Sequence, residues 1–243
     1  MRLIKLLIVI ILFASCKKQE DRSCFKRSGE MAVQTYAFGD FNRLFLKEHI
    51  RYRLIQDSTN CIVVRGGKNL LNFILVDGEG GLISIQNKNR CNYLRKYEVP
   101  TVEIHYTRLI NILFEGTEEL ITEDTMLVDY LTLTLRDGAG IMNMKVKAQD
   151  INVVNTHGWG SVILHGETNT LRCNAMGDGR FDCRNLKVNQ SIQWITSSSV
   201  DHYLSAPGIP LQVELNGIGN IFYHGTPSLI QKSRYGSGDL IPL

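Results

Sequence analysis

No stretch between residues 37 and 243 carries apolar residues at the three-to-four spacing of an amphipathic helix, which argues against a helix-based fold. Proline is scarce, at 5 in the whole chain, and no Pro/Ser-rich linker divides this region. One domain of about 200 residues is therefore the simplest organisation, long enough for a sizeable core. Charge of one sign is also missing. Without residues 1–15, which take Arg2 and Lys5 with them, 25 basic side chains face 24 acidic ones, so nothing draws the chain broadly to nucleic acid. No CxxC pair or Cys/His cluster has structural-zinc spacing. No Gly-Lys-Ser/Thr loop and no serine-nucleophile elbow is present. Neither a metal nor a cofactor is expected.

What the chain does have is a recurring glycine pair: Gly138-Ala139-Gly140, Gly158-Trp159-Gly160, Gly177-Asp178-Gly179, Gly217-Ile218-Gly219 and Gly236-Ser237-Gly238. The starts lie twenty, nineteen, forty and nineteen residues apart, with Thr196 to Ser199 standing at the missing beat near residue 197. Such a period marks stacked strand units. Each pair opens a short alternating run, and a second run follows a turn. Met142, Val162, Phe181, Val200, Ile221 and Leu240 are predicted to form one interior column. The glycines are assigned to tight corners, by left-handed backbone or by close chain approach. Further strands are expected at Phe41–Leu46, Ile50–Ile55, Cys61–Val64, Phe73–Val76, Leu82–Gln86, Val102–His105, Asn111–Phe114 and Leu127–Leu135. The fold class is all-β, a β-helix-like solenoid or prism with repeats of about 20 residues. A β-sandwich competes, but the near-constant period favours the solenoid.

The N-terminus reads as a targeting segment. Arg2 and Lys5 precede a short apolar run, Leu6 to Phe13, and then Ala14-Ser15-Cys16. This resembles a bacterial lipoprotein signal, with residues 1–15 removed and Cys16 carrying lipid. The apolar run is shorter than the ~20 residues of a membrane span. Residues 16–36 are read as a tether and 37–243 as the domain. The expected location is the cell envelope, anchored to the outer membrane by lipid on Cys16, on its periplasmic or its surface side.

Five cysteines remain: Cys24, Cys61, Cys91, Cys173 and Cys183. Cys173 and Cys183 point inward on consecutive strands and are either a disulfide or two small buried hydrophobes. Cys24 with Cys91 is a second candidate bridge. Asp182 and Asp201 are predicted to share one outward position in adjacent repeats, near 5 Å apart. Such a pair could bind calcium or act on a sugar; the alternative is neutralisation by Arg184 and Arg180. His202 points inward as a hydrogen-bonded core histidine, while His165 and His224 face out with Lys145, Arg184 and Tyr203. Trp159, Tyr203 and Phe222 stand at corners or outward positions, where aromatic rings either grip sugars and proteins or pack under their neighbours.

The terminal stretch Gly217-Ile218-Gly219-Asn220-Ile221-Phe222-Tyr223-His224-Gly225-Thr226-Pro227, with Gly236-Ser237-Gly238-Asp239-Leu240, resembles the Bacteroidetes lipoprotein family known as auto-transporter adhesin, head GIN domain. The resemblance covers most of residues 38 to 243. It implies a right-handed β-helix-like fold on a lipid-anchored envelope protein, and it transfers no catalytic residues. The leading expectation is an adhesin or binding scaffold without catalytic activity, with a glycan or a protein as ligand. The alternatives are a polysaccharide-acting enzyme using Asp182 and Asp201, or a structural envelope component binding a protein partner.

Overall fold

The computed structural model describes residues 28–89 and 97–243, and most of these residues are strand. The N-terminal elements are β1 (Met31–Ala37), β2 (Arg43–Leu46), β3 (Arg51–Gln56), β4 (Cys61–Gly67), β5 (Ile74–Glu79), β6 (Leu82–Asn87) and β7 (Thr101–Tyr106). Next come β8 (Asn111–Phe114), β9 (Glu119–Thr122), β10 (Met126–Leu127), β11 (Tyr130–Leu135), β12 (Ile141–Lys147) and β13 (Asp150–Asn155). Two long strands follow, β14 (Ser161–Ala175) and β15 (Phe181–Thr196), each bending through three faces. The chain ends with β16 (His202–Ser205), β17 (Pro210–Leu215), β18 (Ile221–His224), β19 (Leu229–Arg234) and β20 (Leu240–Pro242).

These strands wind into a β-solenoid of about seven turns, with parallel coils of about 20 residues. One face stacks β2, β8, β11, β13, the ends of β14 and β15, then β17 and β19. A second stacks β3, β9, β12, the starts of β14 and β15, then β16, β18 and β20. A short third face runs from β10 through Val146, Gly166 and Leu186. The first coils are closed by reversed strands, since β4 runs antiparallel to both β1 and β7, and β5 to β6. Reversal satisfies an edge that would otherwise be left open. It also corrects the domain boundary: residues 31–36, read as tether, belong to β1.

Period-2 alternation sends every second side chain inward. One interior column reads Tyr52, Leu120, Met142, Val162, Phe181, His202, Ile221 and Leu240. His202 takes the place expected of Val200. A facing column reads Leu44, Ile112, Leu133, Val153, Cys173, Trp194 and Val213, all buried. Each buried aliphatic or aromatic side chain here contributes roughly 1.5–3 kcal/mol.

The slip from Val200 to His202 has a local cause. Ile163 faces Asp182, nineteen residues on, whereas Thr170 faces Ser191, twenty-one on. Two bulges, at the register breaks Ile163/His165 and Thr168/Thr170, insert one residue each into β15. The next turn is longer by the same two residues, so Asp182 lies beside Tyr203.

The repeat glycines do sit at one corner, coil upon coil. A Cβ on Gly158 would come within 2.6 Å of the Gly138 carbonyl oxygen, and one on Gly179, Gly219, Gly236 or Gly238 would come closer still to the carbonyl of the coil before. Of the repeat glycines only Gly158 has positive φ, so close chain approach, not left-handed backbone, is the general reason. The stack begins one coil earlier than the sequence pairs show, since Gly138 lies against the Gly116 carbonyl. At the missing beat, hydroxyl side chains take over the turn. Ser198 N–H donates to Thr196 Oγ1 at 3.1 Å, and Val200 N–H to Ser198 Oγ at 3.1 Å.

Candidate functional site

The expected carboxylate pair does not form. Asp182 accepts two hydrogen bonds from the Arg184 guanidinium, at 2.9 Å from Nε and 2.5 Å from the terminal nitrogen. This neighbour holds its carboxyl below the usual range, against the opposing effect of burial. Asp201 instead accepts from Asn220, at 2.9 Å from the backbone N–H and 3.1 Å from Nδ2, and Asn220 Oδ1 accepts from Asp239 N–H at 2.9 Å. The two residues inserted into β15 move Tyr203, not Asp201, beside Asp182. Asp182 and Asp201 therefore do not share the one outward position expected of them.

The outward aromatics are also reassigned. Tyr203 and Phe222 stack with centroids 5.4 Å apart and planes 15° from parallel. The Arg184 guanidinium covers the Tyr203 ring at 4.6 Å, and Arg180 lies 5.7 Å from it. The first bulge lets Arg184 turn onto that ring. The faces of Tyr203 are therefore engaged, and it cannot serve as a flat platform for a sugar. Trp159, 71% exposed at the glycine corner, is free to do so.

His202 is buried as expected, between Phe181 and Trp194 at ring distances of 5.5 and 5.6 Å. Phe181 N–H donates to its Nδ1 at 3.2 Å, which leaves the proton on Nε2, 3.1 Å from Thr196 Oγ1. Burial lowers its pKa to about 4; nearby Asp201 opposes that shift and Arg180 adds to it. Cys173 and Cys183 are buried free thiols in hydrogen-bonding contact, and burial pushes the Cys173 thiol well up. Cys16, Cys24 and Cys91 lie outside the described residues.

A different site emerges where the third face meets the next. A groove of about 590 Å³ is lined by Arg108, Asp129, Lys147, Gln149, Asn169 and Asn189, among others. Three amides form a ladder, one per coil. Asn169 Nδ2 donates to Gln149 Oε1, and Asn189 Nδ2 to Asn169 Oδ1 at 3.4 Å and to Glu167 Oε1 at 2.9 Å. Beside it Lys147, Glu167 and Lys187 alternate in register. The Asn189 and Lys187 contacts hold the Glu167 carboxyl below its usual range. Asn189 stands at the second bulge. The twenty-residue spacing of residues 149, 169 and 189 was the available signal, hidden because polar turn residues resemble ordinary loop.

The signature of the family described as "Putative auto-transporter adhesin, head GIN domain" matches residues 40–227. Among solved structures, a protein described as a "putative adhesin" from Bacteroides fragilis is similar at a TM-score of 0.75 and 20% identity, over 88% of this chain and 97% of its own. Another so described, from Parabacteroides distasonis, gives 0.68 and 15% over 88% and 98%. A "Putative lipid binding protein" from the same species gives 0.64 and 16% over 88% and 97%. At these identities the likeness establishes a shared fold. No curated protein matches the chain. The family match spans most of the chain, and the coils it covers are those just described: this protein belongs to the auto-transporter adhesin, head GIN domain family.

Proposed function

We propose that this chain is a lipid-anchored binding protein of the cell envelope, adhesin in type, whose amide-lined groove holds a glycan. The observation that carries the reading is the ladder Gln149–Asn169–Asn189. It sets a carbonyl and an NH₂ group at each coil, about 4.8 Å apart, on a rigid wall. Each amide keeps a further donor or acceptor beyond its bonds in the ladder, and sugar hydroxyls need both. Arg108 and Lys147 form no ion pair among the described residues and are available to a ligand that carries acid groups. The lipid-binding neighbour shares the fold, but a groove walled by amides and charges suits a polar ligand better than an acyl chain. A protein partner is the second reading, favoured by Trp159 and by Leu127, 58% exposed at the groove rim.

The lipid-free chain, made with Cys16→Ser, should bind components of a glycan array and lose about tenfold or more in affinity when Asn169 and Asn189 are both changed to Leu. Glycan binding that survives this change, or its absence from the array, would overturn the groove assignment. Protein binding sensitive to Trp159→Ala would support the second reading instead. Fatty-acid labelling of the native chain, abolished by Cys16→Ser, tests the anchor.

A further inference from the structure

The cap of the first coils brings together three side chains that neither the adhesin reading nor the family assigns. β7 is flanked by β3 on one edge, where Ile55 is opposite His105, and by β4 on the other, where Cys61 is opposite His105. The connection from Asp57 to Asn60 therefore arches over the end of β7. It is fixed there by Asp57 N–H donating to the Tyr106 carbonyl at 3.1 Å and Thr107 N–H to Asn60 Oδ1 at 3.0 Å. One consequence is that His105 has a carboxylate on one side and a thiol on the other.

The carboxylate is tightly placed. Asp57 Oδ2 lies 2.7 Å from His105 Nδ1, and its Oδ1 accepts from both the N–H and the hydroxyl of Thr59 at 2.7 Å. With Nδ1 engaged, Nε2 is the nitrogen left for a second partner. Ile62 and Ile104, the next pair along, are both buried, so Cys61 and His105 project together on the outer face. Cβ atoms of such a cross-strand pair stand about 4.5–5.5 Å apart. On the other flank of Cys61 is Ala37, exposed and too short to cover the thiol. His105 and Asp57 side chains are 21% and 36% exposed. Carboxylate, imidazole and thiol thus follow in the order that activates a sulfur nucleophile. Cys173 and Cys183, buried in the core, have no such partner among the described residues.

We propose that Cys61 is a nucleophilic thiol that accepts an acyl group from an ester or thioester. The thiol proton passes to His105 Nε2, and Asp57 stabilises the imidazolium. The thiolate attacks the carbonyl carbon, the S–C bond forms, and the bond from that carbon to the leaving oxygen or sulfur breaks. His105 returns the proton to the departing alkoxide or thiolate, leaving a thioester on Sγ with no change of oxidation state. The class follows from the parts present. Alkylation or disulfide exchange needs only a thiolate, whereas a carboxylate-backed imidazole also supplies the acid that a poor leaving group requires.

The test uses the full chain with peptide-level mass spectrometry, which separates Cys61 from the other cysteines. Iodoacetamide should alkylate Cys61 of the native chain at pH 7 faster than it alkylates the cysteines of the urea-unfolded chain. His105→Gln and Asp57→Asn should each slow that reaction by about tenfold or more, with unchanged circular dichroism. S-Ethyl thioacetate, whose alkyl thiolate is a poor leaving group, should leave one acetyl group on Cys61 in the native chain and far less in both variants. Alkylation of native Cys61 no faster than that of the unfolded chain, and unchanged in both variants, would overturn the proposal. Fast alkylation without acetylation would overturn its acyl assignment.

Discussion

His202 makes the core of the C-terminal coils sensitive to acid, and the size of the effect follows from its surroundings. Its ring is neutral in the folded chain, because Phe181 N–H occupies Nδ1 and burial disfavours the charged form. Unfolding releases it to its ordinary value of 6.5, from about 4. A depressed folded value means the contribution is intact above pH 6.5 and is lost as pH falls toward 4. Between pH 7.5 and pH 5 the linkage amounts to about 2 kcal/mol, and to about 3 kcal/mol when complete. Asp57, Asp178 and Asp182 are held below their ordinary carboxylate value, so their contributions fall away only at lower pH and leave this window to histidine. Urea unfolding of the native chain and of His202→Gln, followed from pH 7.5 to pH 5 by circular dichroism and tryptophan fluorescence, separates this residue from the other histidines. The variant should start less stable, since the imidazole contacts to Phe181, Trp194 and Thr196 are lost. Its stability should nonetheless fall by about 2 kcal/mol less than that of the native chain over this range. Equal losses within about 0.5 kcal/mol would refute the argument.

Gly179→Ala should cost at least about 2 kcal/mol in urea unfolding, because its Cβ would collide with backbone of the coil before. Gly39→Ala, where a Cβ meets nothing within 4 Å, should be neutral or stabilising by up to about 1 kcal/mol in the same assay. Trp194→Ala, at the centre of the ring cluster with Phe181 and His202, should cost about 3–5 kcal/mol by chemical unfolding. Cys173 and Cys183 should resist a thiol reagent in the native chain and react together on unfolding, as mass spectrometry of labelled peptides would show.

The solenoid was legible because its two strongest signals are backbone signals. Alternation fixes which side chains enter the core, and the glycine pairs mark where consecutive coils touch. The register was legible only up to Phe181. A constant period carries the column from Phe181 to Val200, but the two residues inserted into β15 carry it to His202, and a bulge leaves no compositional mark when the extra residues are polar. That one slip produced the expected Asp182–Asp201 pair and concealed the contact between Arg184 and Tyr203. β1 was read as tether because its exposed side chains, Met31 and Val33, lack the buried partners that pattern reading relies on. Cys61, His105 and Asp57 come together where a reversed strand meets the first coil, joining positions 48 residues apart at the extremes and following no period.

The glycine corner also governs how the chain can change in length. Carbonyls of one coil rest against the α-carbons of the next, so an insertion there would force two layers of backbone apart. The extra residues of β15 are accommodated elsewhere, at Arg184 beside Tyr203 and at Asn189 in the groove. Insertions are therefore accommodated away from the glycine corner, which holds the pitch. Coils can be gained or lost as whole units, and the wall of the groove can be bulged or recharged without disturbing the winding beneath it.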